Sequence, residues 1–452
     1  MNMSLKNLIS RAVFLTAFTA GLALRFPTPH VYADQIPSGW AASNMKPIGY
    51  SDLEGAGAFK MAIRHIGDRW YLYMGHLWKR GWTIVDATDP GSPKVVKFIP
   101  GPENTWSIQM DLHDNIMVTS VGSFAESWGG DPKKPSEEGV LIWDISNPTS
   151  PELYSHWKTG NPAGTHRNSY PGGKYTYLSA AMPGYKSNIL VILDISNPKN
   201  PKEVGRWWMP GQKDGEQPAL QNVGFHGPTI IDGDRAYLGY GGSVVILDIA
   251  DKSSPKLTGR LDFAPPFKGG FTGVHDVLPI PGKSALFVHS EGGGGDTPDA
   301  APTCSGPLDL AAMVDIKDPA KPRLMSIFPL PVPPQGEPYS DFCDKGGRFG
   351  PHNTNLEQHL PDVEKQGDLI YLTYFNAGLR IFNIKDPRMP KETGWFIPPT
   401  PSKRIGPIPA KLVTQTEDVL VDTRGNIYIT DKQWGLWVLR YTGPGEPAPT
   451  AK

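Results

Sequence analysis

The phrase "VVILDIADKSSPKLTGR", Val244 to Arg260, is the feature that most limits how this chain can fold, because the chain writes its pattern six times. An apolar run ends in Asp, one apolar residue follows, and a few polar residues lead to Pro. The other copies are "TIVDATDPGSPKVV" at Asp86, "LIWDISNPTSPELY" at Asp144, "VILDISNPKNPKEV" at Asp194, "MVDIKDPAKPRLM" at Asp315 and "IFNIKDPRMPKET", where Asn383 takes the Asp slot. A degenerate seventh, "GLWVLRYTGPG", has Arg440 there. A spacing of roughly 50 to 70 residues is at or above the upper end of the periods of repeat architectures, in which each unit docks on its neighbour to bury its faces.

Each copy follows an aromatic-rich stretch that opens on a tight turn, as in "GDRWYLYMG", "GDRAYLGYG", "GDLIYLTYF" and "GNIYITD". Before that comes another apolar alternation, such as "HGPTIID". One unit therefore reads strand, tight turn, strand, loop, strand ending in Asp, Pro-closed turn, final strand. Four antiparallel strands per unit and seven units predict an all-β fold, a seven-bladed β-propeller of four-stranded antiparallel blades. The Asp and Pro of the phrase read as turn chemistry: a short acceptor caps backbone N–H groups, and proline presets φ and stops further pairing.

This repeat resembles the LVIVD-repeat family of seven-bladed propellers, and "HNTN…GDLIYLTYFNAGLRIFNIKDPRMP" carries the likeness best. The resemblance implies architecture and leaves chemistry open, since sites are grafted onto folds. Carotenoid-cleaving oxygenases and methanethiol oxidase are metal-dependent propeller enzymes, and the likeness to them is architectural alone.

Residues 1–33 are expected to be a signal peptide, and residues 34–452 a single propeller. Lys6 and Arg11 form a basic start, Ala12 to Leu24 an apolar stretch too short to span a bilayer, and Val31 and Ala33 suit cleavage. The expectation is an exported protein, periplasmic or secreted, without a membrane span and monomeric or a small oligomer. In such a compartment the two cysteines, Cys304 and Cys343, are expected to pair as a disulfide. A net charge of −1 with no basic stripe gives no footprint for nucleic acid.

In a propeller the innermost strands start at one face beside the central channel, so residues at those starts converge. Alignment of the units places Lys60 there in blade one, the Trp106 region in blade two, then His166, His226, His275 and His352, and Glu417 in blade seven. Four imidazoles facing a shared space can ligate Cu, Fe or Zn, so a transition metal is the expected cofactor. Glu417 would orient a ligand or accept a proton, and Lys60 would offset negative charge on a substrate. His289 and Glu291, in "VHSEGGGG", could act as general base and acid on the same face. Long insertions in blades five and six, one cysteine in each, fall there too. No phosphate loop, nucleophile elbow or HExxH motif is present.

The expected function is that of an exported metal-dependent enzyme, an oxidoreductase acting on a small molecule at the mouth of the channel. The alternative is a non-catalytic propeller that binds a protein or polymer through the same face.

Overall fold

The computed structural model describes residues 34–217, 224–263, 273–292 and 310–445. The expected leader, residues 1–33, lies outside them, as does Cys304.

Among the described residues the strands form seven four-stranded antiparallel sheets, the expected seven-bladed propeller. Blade one shows the unit: Met61–Ile66, Arg69–His76, Gly81–Asp86 and Lys94–Pro100 pair in sequence order. Blades two to five repeat this order. Each copy of the repeated phrase ends a third strand, from Gly81–Asp86 to Leu379–Asn383.

The turn chemistry is local and repeats in all six copies. The side chains of Asp86, Asp144, Asp194, Asp248, Asp315 and Asn383 each accept the backbone N–H two residues on, at 2.7–3.0 Å. Three residues later Asp89, Asn147, Asn197, Asp251, Asp318 and Asp386 do the same. Two successive Asx turns use up the donors that would otherwise continue the ladder.

The third strands are mostly apolar because they are buried on both faces. In Asn188–Asp194, Ile189, Val191 and Leu193 pack with Val118, Val140 and Ile142 of blade two. Leu190 and Ile192 pack the other way, with Leu238, Val245 and Leu247 of blade four. The period of two along the strand thus becomes alternate docking on two neighbouring blades.

Fourth strands meet the turn of the next blade. A Cβ on Gly205 would lie 2.0 Å from the Lys252 carbonyl oxygen, and one on Gly259 would lie 2.0 Å from that of Pro319. In blades two and five a serine fills this place, and Ser155 and Ser326 donate to the carbonyls of Pro198 and Pro387 at 2.6 Å.

The ring closes with the start of the described chain. Blade seven, Thr416–Val421, Ile427–Asp431 and Gly435–Tyr441, takes its outer strand from Met45–Ser51, which pairs with Gly435–Tyr441. Ala41–Ser43 adds to the edge of blade six. At the inner side of blade six the chain around His352 runs beside Leu369–Thr373 without forming a full strand, held by the Thr354 to Leu372 bridge. No helix among the described residues is long and apolar enough to cross a membrane.

Candidate metal centre at the channel mouth

All seven blades line one cavity of about 250 Å³, so it sits on the propeller axis. Phe59 comes from blade one, Trp106, Ile108, Gln109 and Trp128 from blade two, His166 and Arg167 from blade three, and His226 from blade four. His275 and Glu291 come from blade five, Arg348 and His352 from the entry to blade six, and Glu417 from blade seven.

Two of these residues owe their aim to backbone irregularity. Thr165 pairs with Ala180 and Arg167 with Ser179, which leaves His166 as the extra residue of a bulge. Thr416 pairs with Asp431 and Asp418 with Thr430, which leaves Glu417 in the same position. A bulge interrupts the alternation of side chains, so His166 and Glu417 reach the cavity, with Arg167 beside His166, while Asp418 turns to the Met61 N–H and Lys60.

The four expected histidines come together. Ring centroids lie 4.1 Å apart for His166 and His226, 5.2 Å for His226 and His275, and 5.3 Å for His275 and His352. A set in the cavity able to hold an ion includes a carboxylate that the sequence suggested as an acid: His226, His275 and Glu291 offer ligand atoms all within 4.8 Å of one another. Glu291 Oε2 lies 3.3 Å from His226 Nδ1 and 3.8 Å from His275 Nε2. Two ligands about 2.0–2.2 Å from one tetrahedral ion are separated by roughly 3.3–3.5 Å, so this spacing suits a first-row metal.

Protonation also fits. His275 Nδ1 donates to Asp276 Oδ1 at 2.8 Å, which makes Nε2 the acceptor nitrogen on the cavity side, where Arg167 Nη2 lies 3.1 Å away. Burial, helped by Arg167 and opposed by Asp276, pulls the His275 pKa down to about 3, so the ring is neutral. Burial, then His226 and Arg167, hold His166 well below the ordinary imidazole value. Burial works against ionisation of Glu291, but the Arg348 guanidinium opposes it, and the pKa lies well below the usual carboxylate value. Arg348 Nη2 donates to Glu291 Oε1 at 2.7 Å and leaves Oε2 for the cavity. Glu291 therefore presents an ionised carboxylate oxygen to the cavity.

Glu417 braces the ring from below His352. His352 Nδ1 donates to the Glu417 backbone carbonyl at 2.8 Å and lies 3.2 Å from its carboxylate, which pairs with Lys432 at 2.9 Å. Burial opposes ionisation of Glu417, yet Lys432 and His352 bring its pKa to about 2. A carboxylate so held orients His352 and is a weak proton acceptor.

Two expected site residues stand elsewhere. Phe59 N–H donates to Gly75 and Gly75 N–H to Lys60, the same exchange that His352 and Asn353 make with Thr373. Phe59 is therefore the counterpart of His352, and Lys60 lies one residue deeper. There Lys60 Nζ meets Glu357 Oε1 at 2.5 Å and Asp418 Oδ2 at 3.4 Å, outside the cavity of the histidines. His289 is buried behind His275, with Nδ1 facing the Ser290 carbonyl at 2.7 Å and Nε2 facing Asp276 Oδ2 at 3.0 Å. Both its nitrogens are engaged.

Arg167, Arg348 and Glu357 were not found by comparing repeats, because each is particular to its own blade, and Asp276 was missed although Asp418 holds the same place in blade seven. The alignment itself could have exposed Arg167 and Asp276, since each directly follows an expected histidine. As for the cysteines, Cys343 sits in the short helix Phe342–Lys345, while Cys304 lies outside the described residues.

The chain carries LVIVD repeats: the family model of that repeat matches residues 136–159, 172–208 and 230–262. These ranges fall on blades two, three and four. No curated protein matches the chain. Among solved structures, the chain is similar to the β-propeller domain of Cps50 (Swd1) from Myceliophteria thermophila, at 11% identity and a TM-score of 0.51, covering 85% of this chain and 96% of that one. It is also similar to the periplasmic gluconolactonase PpgL of Pseudomonas aeruginosa, at 9% identity and a TM-score of 0.52, covering 83% and 99%. At such identities the likeness is one of fold.

Proposed function

We propose that the protein is an exported metal-dependent enzyme, an oxidoreductase acting on a small molecule at the channel mouth. The observation that carries this reading is the two-histidine, one-carboxylate set of His226, His275 and Glu291 facing one cavity. Such a set, with positions left open for substrate, suits non-haem iron(II), and the further imidazoles of His166 and His352 also suit copper or zinc. Iron or copper held there would supply one-electron chemistry.

The chain's own residues prepare the site for it. Asp276 fixes the His275 tautomer, Arg348, itself held by the Gly292 carbonyl, fixes Glu291, and Glu417 fixes His352. Such outer partners set ligand orientation and basicity. Phe59, Trp106 and Trp128 give the cavity an aromatic wall against which the apolar part of a substrate can lie. Export accords with the basic and apolar start of the chain, and a Cys304 to Cys343 bridge would tie together the two long insertions.

Metal analysis tests the proposal. Protein supplied anaerobically with Fe(II), Cu or Zn and then desalted should retain close to one equivalent of an ion. His275→Ala and Glu291→Ala should lose it. Failure of the wild type to retain any of the three, or unchanged retention by both variants, would overturn the reading. Mass mapping of exported, unreduced protein should find a start near Asp34 and a peptide that links Cys304 to Cys343.

A further inference from the structure

We infer that the cavity takes a small oxyanion, a carboxylate on an apolar or aromatic body, with Arg167 as its counter-charge. The inference deepens the functional reading above and rests on the same cavity, but the anion's site does not depend on the ion.

The argument starts from how charge is matched around the channel. Each carboxylate that lines the cavity has a cation of its own: Glu291 has Arg348 at 2.7 Å, and Glu417 has Lys432 at 2.9 Å. Arg167 is different. It is 2% exposed, and its hydrogen bonds among the described residues go to an imidazole and an amide, with Nη2 3.1 Å from His275 Nε2 and 2.6 Å from Asn353 Oδ1. Its Nε and Nη1 have no hydrogen-bond partner among the described residues. A buried guanidinium with two unmet nitrogens bears a large desolvation penalty unless something negative arrives to share it. Neither an imidazole whose proton is held on Nδ1 by Asp276 nor an amide can do so, and Asp418 is already engaged by Lys60 and the Met61 N–H.

Position supports the same conclusion. Arg167 lines both the histidine cavity and a smaller one beneath it, so the charge stands on the axis where a ligand from the mouth would end. Guanidinium groups hold carboxylates and phosphates by directed, charge-assisted hydrogen bonds. Arg167 Nη2 already touches the His275 nitrogen that faces the cavity, so an anion on Arg167 lies beside the three ligand groups. About 250 Å³ bordered by Phe59, Trp106 and Trp128 leaves room for a ring or a short chain behind the anionic head.

The test uses metal-free protein, prepared with a chelator, so that its outcome does not depend on metal content. Benzoate and the uncharged benzamide are compared by calorimetric titration and by saturation-transfer NMR, with acetate, sulfate and inorganic phosphate as further probes. Benzoate is expected to bind at least tenfold more tightly than benzamide. Arg167→Gln should remove that preference, while Arg167→Lys should keep part of it. Tighter binding of phosphate or sulfate than of benzoate and acetate would overturn the carboxylate assignment. Equal binding of benzoate and benzamide by the wild type, or an unchanged preference in a folded Arg167→Gln protein, would overturn the role of Arg167. The wild-type comparison decides the matter even where the Gln variant fails to fold.

Discussion

Asp276 Oδ1 accepts the Nδ1 proton of His275 at 2.8 Å, so the protein fixes the tautomer of that ring before any ligand arrives and leaves Nε2 as the acceptor that faces Arg167 and the cavity. The second oxygen of Asp276 faces His289 Nε2 at 3.0 Å, which makes one buried carboxylate the support of two imidazoles. His275, Asp276 and His289 also lie close enough together to hold an ion. Their mutual hydrogen bonds give them a different part, that of a brace behind the cavity.

Asp276→Asn tests this part. The amide can still accept from His275 but no longer carries charge, so the ring stays in place with weaker basicity. Loss of such a support costs roughly 10–100-fold in metal affinity. The expected result is at least a tenfold weaker affinity for the retained ion, measured by competition with a chelator, with an unchanged circular dichroism spectrum. Unaltered affinity would show that Asp276 serves packing alone.

The buried cluster below the cavity gives stability an unusual dependence on pH. Burial raises the Glu357 carboxyl to about 7; Lys60 opposes the shift, and Asp418 and Asp111 add to it. For an acid with a raised folded pKa, the native state binds more protons than the unfolded state between about 4.5 and 7, so stability falls as pH rises through that window. Glu357→Gln removes the titration while keeping an oxygen for Lys60. Its melting temperature should change less than that of the wild type between pH 5 and 7.5, and the difference in favour of the variant should be largest at the upper end. Parallel curves would rule out Glu357 as the titrating group.

Closure of the ring rests on Met45–Ser51, whose seven residues complete blade seven at the other end of the chain. Removing them exposes the edge of Gly435–Tyr441 and uncovers Trp437, against which Tyr50 packs with ring centroids 5.0 Å apart. An open strand edge invites pairing with other chains. A chain starting after Ser51 is expected to aggregate or to melt at least about 10 °C lower, while one starting at Asn44 keeps the outer strand and loses far less. Light scattering and calorimetry of the two truncations measure this. Equal melting would mean that the ring does not need this strand.

Blade number and turn positions were legible because their causes are local: Asp86 and its counterparts cap the chain two residues on, and the same short text recurs wherever the same turn recurs. Closure by Met45–Ser51 was not legible, since its partner lies nearly 400 residues away and nothing in a strand's own text names its neighbour. The histidines were found by position within the repeat. Glu291 was seen as a loop acid, but its part beside His226 and His275 depends on Arg348, which approaches from the next blade. The misplacement of Lys60 has the same root: alignment on turns carries an error of one residue, and one residue separates the mouth of the channel from its interior.

Docking between blades makes the final prediction. Gly205 and Gly259 do not adopt a left-handed backbone, so a side chain there meets no torsional obstacle, only the carbonyl oxygens of Lys252 and Pro319 at 2.0 Å from the new carbon. That contact forces the neighbouring blade's turn outward, and overpacking of this kind costs about 1–3 kcal/mol. Gly205→Ala and Gly259→Ala should each lower the melting temperature by several degrees. Because they lie at different blade interfaces, their effects should add to within roughly 0.5 kcal/mol. Gly367, which would meet nothing within 4 Å, is the control, and Gly367→Ala should be near neutral. Ser326→Ala gives a gentler reading of the same joint, because it removes one hydrogen bond to Pro387, worth about 0.5–1.5 kcal/mol. Unfolding measured in urea separates these cases. A Gly205→Ala protein as stable as the Gly367→Ala control would show that the turn yields freely and that the blades dock through their apolar faces alone.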